Sequence, residues 1–334
     1  MKILFIGGTG LISSAVTERL LESGHDVYLL NRGSRRDYEV LGAKYLIGDI
    51  HDEKAVQELL HGLDFDAVAD WIAYNPEDVE RDYRLFRGRT KQYIFISSAS
   101  AYTKPVTSYP ITESNPLGNR YWDYSQLKAD AEEVLFEHFH EEGFPVTVVR
   151  PSHTYGKNKL IVPLSGAKTQ WTCAARMLAG KPTVVHGDGR SLWTVTHNTD
   201  FAKAFCGLVG NYQAVGHAFH ITSDEYLSWD RIIEIECEIL GVELNILHVP
   251  SDYIADKMPE YRGGLLGDKA ESMIFDTSKI KRFVPSFICT TPFSVGARLA
   301  IEELLRGEKV VDTAYDEKID AFCADYIRRF GAQK

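Results

Sequence analysis

Apolar residues in the first half of the chain fall in short, nearly continuous runs. Each run is followed by a polar turn and then by a stretch with helical spacing. The runs are KILFIGG (2–8), DVYLLNR (26–32), AKYLIGD (43–49), DAVADWIAY (66–74), QYIFISS (92–98) and VTVVRPS (146–152). They are rich in Val and Ile and lack a polar alternation, as strands do when helices cover both faces of a sheet. The intervening stretches predict helices over 11–23, 52–62, from Pro76 onwards and over roughly 121–142. Gly24 stands where a helix C′ glycine belongs, and Asn75-Pro76 supplies an N-cap and a first-turn proline. Strands alternating with helices in this way predict a doubly wound parallel sheet in an α/β protein.

The second half is less regular. Helices are expected over 168–180, 199–210, 228–240 (with Ser228 as cap), 294–306 and 316–329, with strands in TVVHGDG and AFHIT. This reads as a smaller C-terminal α/β domain for substrate. The expected division gives 1–160 and 191–212 to the first domain, and 161–190 and 213–334 to the second. A net charge of −10 disfavours a broad nucleic-acid-binding surface, which needs clustered Lys and Arg. Five scattered cysteines without a CxxC pair fit reduced thiols and a cytoplasmic setting. No apolar run approaches the roughly 20 residues of a membrane span. Among eleven histidines no HExxH or Cys/His cluster appears, so no metal is expected.

The first run leads straight into Gly7-Gly8-Thr9-Gly10-Leu11-Ile12-Ser13. Glycines between a first strand and a first helix permit a tight turn and let backbone N–H groups approach a pyrophosphate, the Rossmann arrangement. The third glycine of that pattern, which lets helix and strand pack closely, is Ser13 here; a slightly shifted helix is expected. The second run ends Asn31-Arg32, with no carboxylate to accept from a ribose 2′-hydroxyl. Arg32, Ser34, Arg35 and Arg36 favour a 2′-phosphate instead, and so NADP over NAD. Asp49, after the third run, could meet the adenine amino group.

In YWDYSQLKADAEE (121–133), Tyr124 and Lys128 are four residues apart on a predicted helix, and so on one face. An ammonium beside a phenol favours the tyrosinate and suits the phenol to proton transfer with a substrate hydroxyl or carbonyl. Ser98, at the carboxyl end of the fifth run, could hydrogen-bond the same substrate oxygen.

A glycine loop, a serine strand end and Tyr-xxx-Lys in this order resemble the extended and atypical short-chain dehydrogenase/reductases of the NAD-dependent epimerase/dehydratase type. The resemblance extends over nearly the whole chain, through VTVVRPSHTYG, GDGRSLWTVTHNTDFAKAF and MIFDTSKIKR. It implies a catalytic triad in which Tyr124 is the general acid/base, Lys128 lowers its pKa and holds the nicotinamide ribose, and Ser98 orients the substrate oxygen. It further implies a cofactor cleft formed by Gly7, Thr9, Gly10, Leu11, Ile12, Asn31, Arg32, Asp49, Ile50, Ser97, Tyr124, Lys128 and Pro151. It also implies a homodimer built on the helices after the fourth and fifth strands.

Several positions depart from the family pattern. The helix over 76–88 lacks the asparagine of the usual proton relay. Ala99-Ser100 replaces the Asp-Glu pair of sugar dehydratases, so dehydration is not expected. His153 and Trp193 stand where nucleotide-sugar enzymes hold the diphosphate with Asn and Arg. Tyr102, His153 and Trp193 are the expected substrate contacts, within a mouth also bearing Trp71, Tyr74, Tyr109, Tyr121 and Trp122. The expected activity is NAD(P)-dependent hydride transfer or epimerisation on a sugar-like or other hydroxyl-bearing small molecule. The alternative is a catalytically divergent Rossmann protein that binds RNA, as the plant chloroplast stem-loop-binding proteins of the atypical branch do, or that senses dinucleotide.

Overall fold

The computed structural model describes residues 1–34, 39–166 and 168–331. It divides into two units: residues 1–154, 198–224 and 275–290 form the first, and 155–197, 225–274 and 291–334 the second.

In the first unit, strands β1 (Lys2–Ile6), β2 (Asp26–Asn31), β3 (Lys44–Ile47), β4 (Ala67–Asp70), β5 (Tyr93–Ile96) and β6 (Val146–Pro151) occupy the six predicted runs. Helices α1 (Leu11–Glu22), α2 (Glu53–Leu59), α3 (Pro76–Phe86) and α4 (Asp123–Glu142) lie between them. The sheet is wholly parallel. Its order, from one edge, is the strand His217–Ile221, β6, β5, β4, β1, β2, β3. Alternate strand residues serve two cores. Ile3, Phe5, Leu29, Ala69, Ile96 and Phe219 pack with Val16 of α1 and with Phe201 and Phe205 of the helix Asn198–Leu208. Leu4, Ile6, Leu30, Val68, Phe95 and Val148 pack with Val56 of α2, Phe86 of α3 and Leu135 of α4. Burial on both faces is why these runs lack polar alternation.

The ends of the helices follow local chemistry. Asn75 Oδ1 accepts the Asp78 N–H at 2.9 Å, with Pro76 opening α3. Gly24, at φ +78°, closes α1. Ser13, in place of the third glycine, has a role of its own: its Oγ accepts the Gly10 N–H at 2.9 Å and so caps the start of α1.

The expected division of the chain is corrected at residues 213–224 and 275–290, which belong to the first unit. The strand His217–Ile221 pairs in parallel with β6, Phe219 opposite Val149, and so extends the first sheet. Residues 155–160 and 191–197, placed in the first domain by the sequence, belong to the second unit. The second unit contains the helices Trp171–Leu178, Trp229–Leu240, Phe293–Arg306 and Thr313–Phe330. It also has two strand pairs: Thr183–His186 runs parallel to Ile246–Val249, and Leu192–His197 antiparallel to Tyr226–Ser228. Ser228 caps its helix as expected, accepting the Arg231 N–H at 3.2 Å.

Between α4 and β6, Arg150 and Glu132 form a buried pair, with Arg150 Nε 3.0 and 3.1 Å from the two carboxylate oxygens. Removing one member of such a pair strands the other charge. Glu132→Ala is expected to cost about 3–5 kcal/mol of unfolding free energy, read by urea denaturation; a loss within experimental error would show that the pair does not hold α4 to the sheet.

Candidate active site

The turn from β1 to α1 approaches its neighbours closely enough to exclude side chains. Gly7 and Gly8 adopt φ +97° and +68°. A Cβ on Gly7 would lie 2.9 Å from Ile72 Cγ2, and one on Gly8 would lie 2.6 Å from Leu29 Cδ2. With the Gly10 N–H taken by Ser13, the donors that the start of α1 offers an anion are those of the next residues, Leu11 and Ile12. Thr9, buried in the turn, donates its own N–H to the Gly7 carbonyl at 2.9 Å.

Two orphaned polar atoms lie at carboxyl ends of strands of the same sheet. Asn31 Oδ1 accepts the Gly33 N–H at 2.9 Å, but among the described residues its buried Nδ2 has no partner. The buried Oγ of Ser97, after β5, likewise has none among them. Buried polar groups are almost always satisfied, so these two suit a polar ligand at the carboxyl edge of the sheet. The turn that admits no Cβ and the two orphans fit a bound dinucleotide. Arg32 is exposed beside Asn31; Arg35 and Arg36 lie outside the described residues. Asp49 sits after β3, held below the usual carboxylate range first by the backbone N–H of His51. Ile50 is buried in the core under it, and Pro151 ends β6.

Lys128 is the most constrained charge of the site. Its side chain is buried, and its Nζ donates to the carbonyls of Ala73 and Ile96, each at 2.6 Å. The ammonium lies 4.7 Å from the Tyr74 ring centroid, 4.8 Å from that of Phe95 and 5.9 Å from that of Tyr124, one turn away on α4. Burial lowers its pKa to about 8, opposed by the charge of Asp70. Asp70, at the end of β4, shapes the loop that supplies one of these carbonyls: its Oδ1 accepts the N–H groups of Ile72 and Ala73 at 2.6 and 2.7 Å. Sequence reading passed over Asp70, because a carboxylate closing an apolar run looks like an ordinary strand end.

Ser98 belongs to a chain of hydroxyls. Its Oγ accepts the Ser100 N–H at 3.2 Å and lies 2.8 Å from Ser100 Oγ, which lies 2.6 Å from Ser125 Oγ. Asn119 Nδ2 fixes the Ser100 carbonyl at 2.7 Å. Ser100 and Ser125 were missed, for hydroxyls 25 residues apart meet only once the 3-10 turn Ala99–Ala101 packs on α4.

Two of the three expected substrate contacts are buried. Tyr102 is 1% exposed, and its hydroxyl accepts from Arg150 Nη1 at 2.8 Å and binds His220 Nε2. Burial raises the Tyr102 pKa and pushes that of His220 down to about 3, so the imidazole is neutral. Its Nδ1 faces the Asp276 carbonyl at 3.3 Å and must donate, so Nε2 accepts the Tyr102 proton. The expectation that Tyr102 lines an open mouth is therefore corrected: it ties β6 to the strand His217–Ile221. Trp193 lies in the second unit, 2% exposed, its ring 5.2 Å from that of Trp229. It is core, not a surface open to ligand. His153 is partly exposed in the first unit. Of the expected mouth aromatics, Trp71 packs into the core 4.8 Å from Phe205, whereas Tyr74 and Tyr109 are each 49% exposed. Among the described residues no group of three His, Cys, Asp or Glu could hold a metal, and no helix is long and apolar enough to cross a membrane.

A seven-stranded parallel sheet with a glycine-rich turn after β1 and a buried Lys one turn from a Tyr defines a nucleotide-binding α/β protein of the short-chain dehydrogenase class. The sequence profile of the NAD dependent epimerase/dehydratase family matches residues 3–222, and the chain belongs to that family. It is 25% identical to the 2'-dehydrokanamycin reductase of Streptomyces kanamyceticus, over 86% of this chain and 80% of that protein. It is 28% identical to the chloroplast stem-loop binding protein of 41 kDa b of Arabidopsis thaliana, over 69% of this chain but only 61% of that protein. Its fold matches dTDP-glucose 4,6-dehydratase of Bacillus anthracis in complex with NAD, with a TM-score of 0.75 and 18% identity over 92% of this chain and 98% of that one.

The depressed Lys128 gives a stability test. The unfolded chain binds this proton up to the ordinary lysine range, near 10.4, and the folded chain only up to about 8. Its burial therefore costs stability in full below pH 8, and the cost fades as pH rises from 8 towards 10.4. Lys128→Met should remove this term, so that the wild type gains stability relative to the variant across that window. Urea unfolding of both at pH 7, 8.5 and 10 reads it, and parallel curves would refute the buried charge.

Proposed function

We propose that the chain is an NAD(P)-dependent oxidoreductase or epimerase acting on a sugar-like, hydroxyl-bearing small molecule through Ser98, Tyr124 and Lys128. The observation that carries this reading is the buried Lys128 ammonium, fixed by two carbonyls one turn from Tyr124. Two of its three protons are committed, which leaves one for a ribose hydroxyl. The dinucleotide, when bound, supplies or accepts the hydride. In the reducing direction Tyr124 gives its phenolic proton to the substrate carbonyl oxygen, and the Lys128 charge stabilises the tyrosinate left behind. In the oxidising direction the tyrosinate takes the proton back. Ser98, whose Oγ accepts the Ser100 N–H, donates its own proton to the same oxygen when Ser100 Oγ in turn donates to it.

Simple reduction or epimerisation is favoured over dehydration because Ala99 and Ser100 offer no carboxylate to remove water. The similarity to a reductase supports this reading. NADP is favoured over NAD because Arg32 is exposed beside Asn31 with no acidic side chain in its place. The likeness to a stem-loop binding protein supports a nucleic-acid reading, which the net charge of −10 disfavours.

NADPH fluorescence titration tests this. NADPH is expected to bind more tightly than NADH, and Arg32→Ala to weaken NADPH by roughly 10-fold or more while leaving NADH almost unchanged. Tyr124→Phe should keep NADPH affinity and lower turnover on a screened ketone by roughly 100-fold or more. If neither dinucleotide binds, the enzymatic reading falls and RNA binding becomes the reading to test.

A further inference from the structure

The hydroxyls of Ser98, Ser100 and Ser125 form a chain whose direction their surroundings decide. Ser98 Oγ lies 2.8 Å from Ser100 Oγ, which lies 2.6 Å from Ser125 Oγ. Ser100 is 4% exposed, Ser125 is fully buried, and Ser98 is half-buried. Each hydroxyl has one proton to give and two lone pairs that receive. A helical hydroxyl commonly donates back along its own helix, as Thr17 does to the Ser13 carbonyl at 2.8 Å. Ser125 makes no such bond: among the described residues its hydroxyl meets that of Ser100 alone. The Ser100 hydroxyl meets only those of Ser98 and Ser125 among them.

A chain running inward, from Ser98 to Ser125, would leave the buried Ser125 proton without an acceptor. A chain converging on Ser100 would leave the Ser100 proton without one. Each arrangement loses a hydrogen bond where water does not replace it. The outward chain loses nothing: Ser125 donates to Ser100, and Ser100 donates to Ser98. Both lone pairs of Ser98 are then taken, by the Ser100 hydroxyl and by the Ser100 N–H at 3.2 Å, and its own proton stays available. The backbone on either side is fixed. Lys128 holds the Ile96 carbonyl at 2.6 Å, Asn119 Nδ2 the Ser100 carbonyl at 2.7 Å, and the Gly118 N–H the Ala101 carbonyl at 2.9 Å.

We propose that Ser100 and Ser125 are positioning residues that make Ser98 an obligate hydrogen-bond donor, so that the ligand atom it meets is an acceptor, the carbonyl or alkoxide oxygen of the reacting centre. The catalytic consequence rests on the function proposed above. Negative charge that gathers on the carbonyl oxygen during hydride transfer meets a donor that needs no reorientation, polarised by the two hydroxyls behind it. With its lone pairs filled, Ser98 cannot take the Tyr124 proton, which is kept for the substrate oxygen.

Neutron diffraction from crystals of the full chain exchanged into D2O reads the direction without any activity. The Ser125 deuteron is expected on the line to Ser100 Oγ, and the Ser100 deuteron on the line to Ser98 Oγ. A Ser98 deuteron pointing at Ser100 overturns the proposal. Kinetics with NADPH and the ketone chosen in the Tyr124→Phe comparison read the consequence. Ser125→Ala should lower kcat by roughly 5- to 10-fold, about the worth of one net hydrogen bond, and leave the Kd for NADPH unchanged. In a Ser98→Ala background the same change should cost nothing further, and Ser125→Cys, with its weak thiol donor, should fall between wild type and Ser125→Ala. Losses that add in the double variant, or weaker NADPH binding by Ser125→Ala, make Ser125 a packing residue and overturn its role. Failure of the wild type to bind NADPH removes the proposed function instead, and the direction of the chain is then decided by the neutron map.

Discussion

A buried ammonium held between two strand ends organises the first unit. Lys128 reaches from α4 to the Ile96 carbonyl at the end of β5 and to the Ala73 carbonyl in the loop after β4. A charge this deep is tolerable only if its protons meet fixed acceptors, and the surrounding structure is arranged to fix them. Asp70 folds the loop so that Ala73 presents its carbonyl. Arg81 in turn lies 3.5 Å from Asp70 and binds Asp82 at 2.8 Å. Asp82 also accepts the Tyr93 hydroxyl at 2.6 Å, and burial, with Asp70 beside it, raises its carboxyl well above the usual range. The position of one ammonium thus depends on a buried network that spans α3, β4, β5 and α4.

The parts of this arrangement that were legible in the sequence are those set by local rules. Six strands, their helices, the Asn75 cap and the glycine turn follow from spacing and turn chemistry within a few residues. Long-range pairing is different. AFHIT reads as a strand in any sheet, and only its pairing with β6 puts it at the edge of the first one. Tyr102 follows a strand end as a ligand-contacting aromatic would, yet Arg150 and His220, 48 and 118 residues away, claim its hydroxyl. The Ser98–Ser100–Ser125 chain and the role of Asp70 were hidden for the same reason: each is defined by contacts that no spacing reports.

Two departures from the family pattern, at Ser13 and Ser100, prove to be local substitutions with partners of their own. Ser13 replaces a glycine and uses its hydroxyl to cap the turn that the glycine would only have permitted. Ser100 stands where a dehydratase carries an acid, and its hydroxyl links Ser98 to α4. A carboxylate in that place would face two other hydroxyls in a buried setting and would add a charge with no cation to balance it among these partners.

Buried cations divide by residue type in a way that physical chemistry explains. Arginine cannot shed its proton inside a protein, so burying it requires a carboxylate: Arg81 has Asp82, Arg150 has Glu132, and Arg176 has Asp316 and Asp320. Lysine can release its proton as its environment dries, and buried Lys128 is drawn down to about 8 with no carboxylate in ion-pair range among the described residues. An ammonium poised near neutral pH responds to whatever charge arrives beside it, whereas a paired guanidinium does not. The arginines therefore hold the architecture, whereas the Lys128 ammonium, held by two neutral carbonyls, stays responsive to a charge placed beside it.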